Sequence, residues 1–169
     1  VAFFDRLRRL LPGRAPDAVG HGGTAFGGTA AFDRGTKALE RGRLDQADAA
    51  FEEALRAAAT AAQIAAVRNK RAIVAIRRLG LERAVDELTL ALEADPRSAA
   101  ALTTIGNLLL EGGAVDDAIA HYEYAVLVDD TYAPAYHNLG VALHRSGRRG
   151  EAVRMLRKAT RLESRMKLR

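Results

Sequence analysis

The chain has 169 residues, 49% of them apolar but only 5% aromatic, with no Trp. With no Cys it can form neither a disulfide nor a thiolate metal site, and it has no apolar run of the ~18–20 residues that cross a bilayer. The formal charge of +5 is spread unevenly: +3 over residues 1–14, −6 over residues 15–144 and +8 over residues 145–169.

Ala, Leu and Arg, all strong helix formers, dominate the composition, so an all-helical chain is expected. Arg outnumbers Lys 22 to 4, as in proteins from GC-rich bacterial genomes. With no secretory-signal pattern at residue 1, a bacterial cytoplasmic protein is the expectation.

At residues 1–11, Phe3, Phe4, Leu7, Leu10 and Leu11 recur at helical spacing, with Arg6, Arg8 and Arg9 on the other side. This predicts a short amphipathic helix that Pro12-Gly13 ends. Two roles fit it: a cap over the end of a helical array, or a peripheral contact with an anionic membrane surface. Residues 12–27 are Gly-rich and read as a linker. The glycines of residues 20–28 lack the Gly-Lys-Ser/Thr ending and preceding strand of a phosphate-binding loop.

From residue 28 the chain repeats itself. Residues 28–64 carry Gly35 and Gly42, then Ala47, Phe51 and Ala54. This repeat exceeds 34 residues by about three, which its second helix is expected to take up through the Ala-rich stretch 57–62. Residues 65–98 carry Ala84, Leu88, Ala91 and Pro96, but Gly80 comes one residue late. Their first helix therefore has two possible registers, placing either Arg68 and Arg71 or Asn69 and Ala72 at positions that are elsewhere apolar. Residues 99–132 and 133–166 align without a gap at an offset of 34. Leu102, Ile105, Gly106, Gly113, Ala118, Tyr122 and Ala125 in the former match Tyr136, Leu139, Gly140, Gly147, Ala152, Leu156 and Ala159 in the latter. The small residues allow two helices to pack closely, and the large ones fill the space between them.

A 34-residue period with this pattern resembles the tetratricopeptide repeat. The resemblance implies a right-handed α-solenoid of about four helix-turn-helix repeats, acting as a protein-binding scaffold rather than an enzyme. It also implies a concave groove lined by the first helix of each repeat. Carried over position by position, the groove residues are Phe32, Thr36 and Leu39, then Asn69, Ile73 and Ile76. The later repeats add Thr103, Asn107 and Leu110, then His137, Val141 and His144. Amides, hydroxyls and aliphatic side chains together suit an extended or helical peptide of a partner protein. The paired cations with which part of the family clamps a C-terminal carboxylate are missing here.

His137 and His144 are two helical turns apart, ~10 Å along the axis, too far to share one zinc. No metal or cofactor is expected, and no nucleophile with a base within reach suggests catalysis. Asp117 and His121 read as a surface pair one turn apart. The basic end, with Arg154, Arg157, Lys158 and Arg161, suits an acidic protein or an anionic membrane. Nucleic acid fits less well, since no aromatics are interleaved for stacking. The acidic third repeat and the basic last helix would also allow head-to-tail homo-oligomers.

Overall fold

Gly-centred turns and apolar periodicity divide the chain into paired helices. The computed structural model describes residues 2–10 and 29–167, so the Gly-rich stretch 12–27 lies outside the described residues except in sequence. Among the described residues there are helices and no strand, with 82% helix. They are α1 (Ala2–Arg9), α2 (Ala30–Glu40), α3 (Leu44–Arg56), α4 (Ala61–Arg77), α5 (Leu81–Ala94), α6 (Ala99–Glu111), α7 (Val115–Val128), α8 (Ala133–Arg145) and α9 (Arg149–Lys167). From α2 onward they form four helical hairpins. The residues group into two compact units, one holding α2 to α5 and the start of α6, the other holding α1 and residues 102–167.

In three of the four hairpins a glycine of the first helix lies against a large side chain of the second. A Cβ on Gly106 would stand 2.5 Å from the Tyr122 ring, one on Gly35 2.6 Å from the Phe51 ring, and one on Gly140 2.7 Å from Leu156 Cγ. No real Cβ tolerates such distances, so glycine is what lets these helices meet. Phe51, Tyr122 and the alanines Ala47, Ala54, Ala118, Ala125, Ala152 and Ala159 are buried.

The uncertain register is settled by the turn after α4. All four hairpins end the first helix with the same hydrogen bond from the second residue beyond the turn. Arg43 N donates to Ala38 O, Gly80 N to Ala75 O, Ala114 N to Leu109 O and Arg148 N to Leu143 O, each at 2.9 Å. The left-handed residue of that cap is Gly42, Gly113 or Gly147 in three hairpins, and Leu79 (φ 59°) in the other. Gly80 is thus the N-cap of α5, and Arg68 and Arg71, not Asn69 and Ala72, hold the positions of Leu102 and Ile105.

Two arginines can occupy apolar positions because carboxylates meet them. Arg68 Nη1 is 3.0 Å from Glu87 Oε2, and Arg71 contacts both Glu87 and Asp48 at 3.3 Å. Arg83 and Arg78 complete the cluster around Asp48. Glu87 is 6% exposed, so a buried ion network replaces part of the apolar layer between α4 and α5. These arginines hold the Asp48 carboxyl below the usual range, more than its burial raises it.

The extra length of the first repeat does not extend its second helix as expected. α3 ends at Arg56, and the added residues lengthen α4 at its start. The reason is local: Thr60 accepts from Gln63 N while the Gln63 side chain accepts from Thr60 N, a capping box that begins α4 there.

The amphipathic helix α1 packs onto α7 and the turn that precedes it. Leu7 is wholly buried, Arg8 Nε lies 2.6 Å from Asp117 Oδ2, and Phe4 lies over Gly112.

Candidate functional site

The expected groove residues fall on the first helices of both units, and each unit presents its own face. In the unit holding α2 to α5, Phe32 is half-buried with its ring tilted against Phe51, the centroids 5.8 Å apart. Ile73 is half-buried against the cluster formed by Leu39, Phe51, Val67 and Val74. Thr36 Oγ1 and Asn69 Oδ1 are buried and make no hydrogen bond among the described residues. Asn69 is itself buried, as is Leu39, so neither lies open on this face. Beside Asn69, burial pushes the Lys70 ammonium below its ordinary pKa, with Glu40 opposing the shift.

In the other unit Asn107 is the organising residue. Its Oδ1 accepts two hydrogen bonds, from Tyr122 Oη at 2.7 Å and from Asn138 Nδ2 at 2.8 Å. These two donors fix the orientation of both amides. Asn107 Nδ2 and Asn138 Oδ1 are left without a partner among the described residues. Burial also pushes the Tyr122 phenol far above its ordinary pKa, so it remains a neutral donor. Around this pair, His137 and His144 are exposed and Val141 and Leu110 half-buried, while Thr103 is buried. Asn138 is not among the groove positions given above, though it stands at one of the places from which part of the family clamps a carboxylate. The signal available was its offset of 31 residues from Asn107, which places an Asn on each of two neighbouring first helices.

Of the basic residues, Arg154, Arg157 and Arg161 are exposed on α9. Lys158 instead lies over the Tyr136 ring, 5.5 Å from its centroid, a cation–π contact within the repeat.

Asp117 and His121 do not form a surface pair. His121 is 1% exposed, and its Nδ1 lies 2.8 Å from the backbone carbonyl of Asp117, while the Asp117 carboxylate serves Arg8. The helical spacing was right, but α1 covers what the sequence left as surface. Burial pushes the imidazole below its ordinary pKa, outweighing the backbone carbonyls of Asp117 and Leu7 and the Asp117 charge. Among the described residues no group of His, Asp and Glu could hold a metal ion, and no helix is long and apolar enough to cross a membrane.

Comparison with known proteins agrees with the repeat geometry. Models described as TPR repeat and Tetratricopeptide repeat match residues 106–147 and 134–162. No curated protein sequence matches the chain. Among solved structures it resembles MamA, at 21% identity and TM-score 0.60, over 82% of this chain and 80% of that one. It also resembles PilF of Pseudomonas aeruginosa, at 25% identity and TM-score 0.65, over 79% of this chain and 60% of that one. A third is YrrB, described as a TPR protein with an unusual peptide-binding site, at 23% identity and TM-score 0.54, over 79% of this chain and 68% of that one. Identities this low speak for the fold, and the matched models cover the two hairpins whose pattern is most regular. Residues 106–162 thus carry the tetratricopeptide-repeat pattern, and the described hairpins share the fold of the solved structures that resemble them.

Proposed function

We propose that this chain is a non-catalytic protein-interaction scaffold that holds a peptide or helix of a partner protein on the inner face of its first helices. The observation that carries the reading is the oriented amide pair. Asn107 presents a donor and Asn138 an acceptor. Together they match the carbonyl and N–H of a peptide backbone, which every extended partner carries. Val141 and Leu110 beside them supply apolar contact, and His137 and His144 supply polar contacts open to solvent. In the α2–α5 unit the expected face carries Phe32, Thr36 and Ile73, while Asn69 there and Thr103 on α6 are buried.

The alternative is a membrane-surface or self-assembling scaffold, which needs α1 or the basic residues of α9 as its contact. In the fold, α1 has Leu7 buried against the repeat rather than presented outward, which weakens the lipid reading for that helix. Arg154, Arg157 and Arg161 remain open to an acidic partner.

The test is peptide selection from a random display library against the purified chain. Selected peptides should lose at least ten-fold in affinity on Asn138→Ala or on combined His137→Ala and His144→Ala. A convex control, Glu123→Ala, should leave them unchanged. If peptides ignore those variants but fail with Arg154→Ala, Arg157→Ala and Arg161→Ala together, the groove reading is wrong.

A further inference from the structure

Three of the positions at which the third repeat differs from its siblings lie at α1. Where it has Gly112, the other repeats carry Arg41, Arg78 and Ser146. Where it has His121, they carry Ala50, Glu87 and Met155. Asp117 replaces Gln46, Arg83 and Glu151. Neither the turn nor the hairpin packing asks for these residues, since the other repeats make the same turn and the same hairpin without them.

What they do is fit one helix. A Cβ on residue 112 would stand 2.1 Å from the Phe4 ring, so the Phe side chain lies in a notch that only glycine leaves open. One turn on, Leu7 is wholly buried, and its backbone lies close enough to bear on the His121 imidazole, whose Nε2 is buried with no hydrogen-bond partner among the described residues. The next residue, Arg8, meets the Asp117 carboxylate at 2.6 Å. Ring, aliphatic and cation at i, i+3 and i+4 share one helical face, and each has its own counterpart on the repeat. A generic cap needs only apolar cover.

We propose that Gly112, Asp117 and His121 form a helix-docking site, filled in cis by α1, that accepts the α1 of a second copy when its own is withdrawn. The second copy is the occupant because its helix reproduces every contact, which makes exchange of an element between copies inexpensive. The 18 residues between Leu10 and Thr29 can reach at most ~60 Å. A tether of that length holds α1 near the site at an effective concentration on the order of millimolar. The cis form therefore dominates in dilute protein, and exchange appears as the protein is concentrated. This surface is separate from the amide pair, so neither proposal depends on the other.

Two measurements on the full chain test it. In the first, a fluorescent peptide of residues 1–11 is titrated into a chain carrying Phe4→Ser and Leu7→Ser, which withdraws its own helix. Saturable binding at least ten-fold tighter than to the unsubstituted chain is expected, with loss when Gly112→Ala is added. Helix content by far-UV circular dichroism checks that each variant is folded. No binding to the folded vacated chain, or binding indifferent to Gly112→Ala, overturns the site. In the second, Arg8→Cys and Asp117→Cys are placed on separate full-length chains, which have no other Cys. On mixing at rising concentration a disulfide-linked dimer should accumulate, and its absence at millimolar protein overturns exchange between copies.

Discussion

Leu79→Gly should stabilise the protein. Leu79 holds the left-handed conformation that Gly42, Gly113 and Gly147 hold in the other turns, and its side chain is 87% exposed. A left-handed conformation costs a residue with a Cβ about 1–2 kcal/mol, and glycine removes that cost. Glycine also adds unfolded-state freedom worth about 0.5–1 kcal/mol, which offsets part of the gain. Because Leu79 packs against so little, its loss forfeits almost no apolar burial. The net expectation is about +0.5 to +1 kcal/mol, or ~1–4 °C in melting temperature for a chain of this size. Urea titration followed at 222 nm should show a higher midpoint at unchanged slope. A lower midpoint would refute both the strain argument and the register that places Leu79, not Gly80, in the cap.

Glu87→Ala should destabilise by about 1–3 kcal/mol, because it leaves the half-buried Arg68 without its carboxylate and Arg71 with Asp48 alone. Combining Arg68→Leu and Arg71→Ile, the residues of the third repeat at those places, with Glu87→Ala, the residue of the first repeat there, should recover most of that loss in the same denaturation assay. Asn107→Ala should cost about 1–3 kcal/mol in stability by orphaning the buried Tyr122 hydroxyl. Asn138→Ala should cost less, since Tyr122 keeps its acceptor. Lowering the pH should loosen α1, because His121 has a depressed pKa while covered and regains its ordinary value of ~6.5 when α1 leaves. The docking contribution is complete above that value and declines as pH falls below it. Hydrogen-exchange protection factors at residues 2–10, taken relative to the intrinsic rate at each pH, should therefore fall between about pH 7 and 5, and should stop doing so in His121→Gln.

The sequence made the hairpins visible wherever packing uses a distinctive residue type. Gly106 against Tyr122 and Gly140 against Leu156 need a glycine facing a large side chain, and a 34-residue offset exposes such pairs. The α4 register was not visible for a physical reason. A left-handed cap signals itself by glycine, and here a leucine takes the strain while the neighbouring Gly80 gives a false marker one residue late. Arg68 and Arg71 misled in the same way, because their partners Glu87 and Asp48 come from two other helices, α5 and α3. The amide pair was half visible: Asn107 lay on the expected face, but its orientation depends on Tyr122 and Asn138. The seat of α1 was hidden because the residues that form it are ordinary surface types, Gly, Asp and His, until a distant segment covers them.

Departures from a repeat pattern can be sorted by where their polar groups find partners. Arg68 and Arg71 break the pattern, yet their charges end on carboxylates of the same unit, so they are structural and no ligand is needed to explain them. Gly112 and Asp117 break it and meet Phe4 and Arg8 of α1, while His121, bonded to the Asp117 carbonyl, lies buried beside them. Asn107 and Asn138 leave a donor and an acceptor that no described residue takes up. In a helix exposed to water such groups would need no explanation. Here two of them are held in fixed orientation by a buried tyrosine hydroxyl, and fixing an amide forgoes rotamer freedom that solvation alone does not require. An arrangement that gives up that freedom to aim a donor and an acceptor together is what recognition of a peptide backbone requires, and it gives this face the stronger claim over the arginines of α9, which are exposed and unconstrained.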